Sequence, residues 1–191
     1  MTISTFGSKY FGWLAALGTV LAVGWFLLPE GYDTIVLWLA PQLGNYIRPL
    51  LVMVNILLVN PLNNITMVAV WAGAGFIGGV MAGTKKGSFV VGIVTWFSCV
   101  LIAVFCAYQL FMSGIELGTL PPVPQGTSIT DVLSIPLVQS AIDEVITLMA
   151  SSGGSGPDIS SILTPLLIWL FTPIVTVIVA GIVGAMVRPK E

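Results

Sequence analysis

Apolar and polar positions segregate along this chain over long distances. Four stretches, 11–28, 64–83, 88–112 and 162–187, are almost wholly apolar or small, and none carries Asp, Glu, Lys, Arg or His in its interior. About 20 such residues in helical form cross a hydrocarbon core roughly 30 Å thick. The pattern therefore predicts an all-α integral membrane protein with four transmembrane helices. Segment 35–60 is apolar but interrupted by Pro41, Gly44 and Asn45, while Pro49 suits a helix opening and Pro61 a stop. A helix over 49–60 is about 18 Å long, short of the core thickness. The expectation is a short re-entrant or interfacial segment. One broken span over 35–60 is the competing reading, and it holds Arg48 near mid-membrane at a cost of about 2.5–3.5 kcal/mol.

The remaining polar-leaning stretch, 113–161, opens with Gly114, Gly118, Pro121, Pro122 and Pro124, which reads as loop. Within it Val138, Ala141, Ile142, Val145 and Met149 recur at helical spacing, with Asp143 and Glu144 off the stripe. That pattern predicts an amphipathic helix over about 136–150, lying on the membrane or on other helices.

Small residues mark where helices are expected to meet. Gly75, Gly79, Gly83 and Gly87 fall four apart, with Ala74, Gly78 and Ala82 as a second stripe beside them. The last span carries Ala180, Gly181, Gly184 and Ala185 near its end. An interior glycine costs a water-exposed helix about 1 kcal/mol relative to alanine. In a bilayer the same residue lets a second backbone approach, so Gly75, Gly79, Gly83, Gly87, Ala180, Gly181, Gly184 and Ala185 are candidate helix-packing residues. Gly75–Gly78 also has a counterpart in Gly181–Gly184, which suggests a weak parallel repeat of 9–87 in 85–191 within a single membrane domain.

Charge gives an orientation. With four spans, Lys9, Lys85, Lys86, Arg188 and Lys190 fall on one side, and Glu30, Asp33, Arg48, Glu116, Asp131, Asp143, Glu144 and Asp158 on the other. The positive-inside rule places both termini and the lysine turn in the cytoplasm of a cell with this protein in its cytoplasmic membrane. Composition agrees with lipid as the solvent. The chain is 57% hydrophobic and 7% charged, against about 25% charged for a soluble domain.

Candidate chemistry is sparse. The chain has no histidine, which removes the commonest metal ligand and general base. Cys99 and Cys106 are seven apart and so share a helix face. At about 10 Å along the axis they are too distant to bridge each other, and they read as packing residues rather than a metal pair. Adjacent Asp143 and Glu144 point different ways around a helix, which speaks against one shared catalytic site. Asn64–Thr66 matches a glycosylation sequon, but a side chain at a span mouth is better placed to cap the helix. No phosphate-binding loop, nucleophile elbow or zinc motif occurs, and neither cofactor nor nucleic acid is expected.

Two sites remain. Arg48 is the lone cation on the acidic side: a headgroup or anion contact, a lining residue of a re-entrant pore, or a snorkelling side chain paired with Glu30 or Asp33. Thr95, Ser98, Gln109, Thr172 and Thr176 are the polar groups left inside spans, and they are the candidates for a polar lining. The sequence supports a non-enzymatic structural or accessory subunit packed through Gly/Ala-rich faces against other membrane subunits or copies of itself. The alternative is a homo-oligomeric channel or passive facilitator for a small solute or ion.

Overall fold

The computed structural model describes residues 5–112, 139, 142–143, 146–147 and 159–189. Six helices follow in order: α1 (Thr5–Phe26), α2 (Glu30–Leu43), α3 (Ile47–Leu57), α4 (Ile65–Ala82), α5 (Lys85–Met112) and α6 (Ile159–Val187). Of these, α1, α4, α5 and α6 are long and apolar enough to cross a membrane, and the chain is a multi-pass membrane protein. Of the helix predicted over 136–150, Gln139, Ile142, Asp143, Ile146 and Thr147 are helical and exposed; the rest of it lies outside the described residues, as does the connection 113–138.

Two boundaries differ from the sequence reading. The first helix is described from Thr5 and its apolar span runs Gly7–Phe26, ahead of residue 11; Ser8 is buried and its hydroxyl donates to the Met81 carbonyl, tying the polar lead to α4. The interrupted segment 35–60 resolves into two helices. Pro41 lies inside α2, near its end, and the break falls at Gly44, whose φ of 77° requires glycine. Pro49 sits in the first turn of α3, where the N–H that it lacks would have had no intrahelical partner.

The lysine end of the bundle is closed by a two-residue turn between α4 and α5. Gly83 takes the left-handed conformation with φ 70° and its N–H donates to the Gly79 carbonyl at 2.9 Å. Thr84 then opens α5, its hydroxyl accepting from Gly87 N–H at 3.1 Å. At the other end Asn64 caps α4, accepting from Met67 N–H at 3.2 Å, as the sequence predicts.

The central helix is α4, which packs against α1, α5 and α6. The close pairs Gly75–Val177 and Gly79–Gly181 advance together, so α4 and α6 run in the same direction. The pairs Ser8–Ala82 and Gly12–Gly78 advance oppositely, so α1 is antiparallel to α4.

Candidate functional site

The glycine stripes are resolved by what each one meets. A methyl on Gly75 would strike the Val177 backbone, and one on Gly79 would stand 2.7 Å from the Gly181 carbonyl carbon. Gly184 lies equally close to the Phe76 backbone, with Val80 N 3.1 Å from its hypothetical Cβ. The second stripe faces the other way: Gly12 would meet Gly78 O at 2.8 Å, and Gly78 would meet the Ala16 methyl at 3.0 Å. Thus α4 carries two small faces, one occupied by α6 and one by α1. Gly181 and Ala185 are buried and Ala180 is half-buried. Gly83 and Gly87 do not extend the first face, since the helix ends at Ala82: Gly83 serves the turn, and Gly87 lies against Thr84 and the Lys9 stem. These glycine faces are consumed within the chain.

The candidate polar lining turns back on its own helices. Thr95 and Ser98 donate to the carbonyls of Val91 and Val94, each at 2.7 Å. Thr172 and Thr176 do the same to Ile168 and Thr172, at 2.7 and 2.8 Å. Each pairs with the carbonyl four residues earlier, the bond a hydroxyl makes when it has an apolar setting to satisfy. Ser98 also accepts from the Trp13 indole N–H at 3.1 Å, linking α5 to α1. Thr95 is fully buried, and Gln109 lies half-buried near the far end of α5. Cys99 and Cys106 are buried free thiols.

At the end away from the lysines, α2 and α3 form a hairpin seated on the bundle. Gly24 of α1 receives Val52 and Ile56 of α3. Tyr46 meets Phe105 of α5 edge-on, with centroids 6.0 Å apart, and Val36, Ile47 and Leu110 form a small cluster. Two bonds missed by sequence reasoning fix the exit of α3. The Trp71 indole N–H donates to the Ile56 carbonyl at 2.8 Å, satisfying a helix-end acceptor that has no partner in its own helix. Val59 N–H donates to the Trp169 carbonyl at 3.4 Å. That carbonyl is free because its helical partner would be residue 173, which is proline. Pro173 is fully buried, so the freed acceptor is met by protein. Asn60 then organises the return: its carbonyl accepts from Asn63 and Asn64, and its side chain from Leu62 N–H at 3.0 Å.

Arg48 is held inside this hairpin. Its guanidinium reaches Asp33 of α2 at 3.3 Å and lies 5.0 Å from the centre of the Trp25 ring of α1. Of the two carboxylates offered by the sequence, Asp33 is the one described, and it pairs with Arg48. Both members of the pair are partly exposed, so the contact ties three helices together more than it stabilises them. Asn55 was not singled out from the sequence, although a lone amide within LLVMVNILLV is a signal in itself; it is 1% exposed.

The chain matches no protein-family model, no curated protein and no solved structure.

Proposed function

We propose that this protein is a non-enzymatic structural or accessory subunit of a larger membrane assembly, with its lysine end and both termini in the cytoplasm. The observation that carries this reading is the state of the polar groups within the four long helices. Thr95, Ser98, Thr172 and Thr176 each donate to a carbonyl of their own helix, which leaves little to line an aqueous path or transfer a proton. The absence of ionisable side chains from the span interiors supports the same conclusion. Because α4 spends both small faces on α1 and α6, a partner would dock elsewhere, on the outward sides of α5 and α6. Exposed Phe97, Leu101, Phe105, Phe111 and Phe171 lie there.

The test is extraction from the native membrane in a mild detergent, with native mass measurement and identification of everything that travels with the chain. A stoichiometric assembly with other subunits is the expected result. A pure homo-oligomer that conducts after reconstitution, with flux altered by Gln109→Leu or Thr172→Val, would replace this reading with the channel.

A further inference from the structure

The described cations fall into two unlike groups. Arg48 pairs with Asp33 at one end of the bundle. Lys9, Lys85, Lys86 and Arg188 lie at the other, and none of them pairs with a carboxylate among the described residues. Of the acidic residues of the chain, only Glu191 is near these cations in sequence, and it lies outside the described residues.

Three segments bring the four together. The Ser8 hydroxyl donates to the Met81 carbonyl and lies 3.4 Å from that of Ala82, which sets Lys9 beside the end of α4. The Lys9 stem then crosses the first turn of α5: its Cε is 3.4 Å from the position of a Cβ on Gly87, the residue after Lys86. Helix α6 runs alongside α4 in the same direction, with Gly184 against Val80. Arg188, four residues on, therefore emerges about one helical turn further, at the level of the Gly83–Thr84 turn. Lys85, Lys86 and Arg188 are exposed and Lys9 is half-buried.

The surface beneath these charges is apolar. Phe89 is four residues after Lys85 and Val90 four after Lys86, so each shares a face of α5 with a lysine. Both are exposed, and so are Val94 and Phe97 deeper along the helix. A ligand following these faces meets apolar side chains first and ammonium groups at their end. A soluble anion matches only the charge; a phospholipid with a net negative headgroup matches both. We propose that Lys9, Lys85, Lys86 and Arg188 form a headgroup-binding surface for anionic phospholipids, with an acyl chain lying along Phe89 and Val90. Clusters of roughly four or more Lys/Arg at the end of a transmembrane helix attract anionic lipid in this way, whereas a zwitterionic headgroup offers them no net charge. Such a surface needs only a membrane-spanning chain, whichever compartment the lysine end faces and whatever proteins it meets.

The test uses the full chain reconstituted in phosphatidylcholine vesicles, with a trace of phosphatidylglycerol or phosphatidylcholine spin-labelled near the end of an acyl chain. The label slows where its lipid rests against the protein, so the slowed fraction gives the relative affinity for the two headgroups. The natural chain is expected to hold phosphatidylglycerol more tightly. Each cation near the surface is worth about fivefold to a lipid at the site, so Lys85→Gln/Lys86→Gln should remove most of the preference. Lys85→Arg/Lys86→Arg keeps the charge and should retain it. Salt at about 1 M, where the screening length is about 3 Å, should abolish it in the natural chain. Equal affinity of the natural chain for the two lipids overturns the proposal. A preference that survives salt, or that the glutamine variant keeps in full, overturns it too, since the anionic lipid then rests elsewhere. The salt comparison stands whether or not the variants fold.

Discussion

Adding one methyl group at Gly79 should part the two most closely packed helices. An ideal Cβ there stands 2.7 and 2.8 Å from the carbonyl carbon and α-carbon of Gly181. Carbon atoms are comfortable at about 3.5–4.0 Å, so α4 and α6 must separate locally by about 1 Å. The obstacle is backbone, which has no rotamer to yield. Overpacking of this kind costs about 1–3 kcal/mol. Gly73, on the same helix, is the internal control: a Cβ there meets nothing within 4 Å. Gly73→Ala should be neutral or stabilise by about 0.5–1 kcal/mol through backbone entropy. The protein supplies its own reporter, since Cys99 and Cys106 are buried free thiols. Thermal unfolding in detergent, followed with a fluorogenic maleimide, reads their exposure directly. Gly79→Ala should melt below the natural chain and Gly73→Ala at or above it. Equal melting of the two variants would refute the close approach of α4 and α6.

Three further outcomes follow from the hairpin. Trp71→Phe removes the indole N–H and part of a fully buried ring system, stranding the Ile56 carbonyl, and should destabilise by at least about 1–3 kcal/mol in the same thiol assay. Pro173→Ala restores an N–H that competes for the Trp169 carbonyl, so amide exchange at Val59 should speed up while exchange at Gly83 is unchanged. Asp33→Asn should cost at most about 1 kcal/mol, because the pair with Arg48 is partly exposed; a larger loss would mean that Asp33 holds more than this contact.

The parts of this fold legible in the sequence are those with a local cause. Four uninterrupted apolar runs announce four long helices, and Asn64 before an apolar run announces a cap. The glycine periodicity was legible as a packing signal, but periodicity alone does not name the partner. Gly75 and Gly79 meet α6 while Gly78 meets α1, and that choice depends on chain topology. The same limit hid the contacts at the α3 exit. Trp71 reaches a carbonyl fifteen residues away, and Val59 reaches one exposed by a proline 114 residues further on (173 − 59). That the carbonyl freed by Pro173 would serve another segment is not legible in a sequence.

Helix length explains why the hairpin exists. At the lysine end the four long helices are flush, with α4 and α5 joined by Gly83 and Thr84, Ser8 bonded to Met81 and Gly184 beside Val80. From that common base the 18 residues of α4 rise about 27 Å and the 28 residues of α5 about 42 Å. The Val59–Trp169 bond fixes the level at which α6 passes the exit of α3, and α6 continues beyond it to Ile159. The bundle is thus a step: α1 and α4 stop short while α5 and α6 continue. The hairpin fills the step, setting Ile56 on Gly24, Ile47 on Leu110 and Tyr46 on Phe105. Irregular backbone at membrane depth survives only where protein encloses it. The step provides that enclosure for Asn55 and Val59, which are buried, while the break at Gly44 lies exposed at the tip of the hairpin.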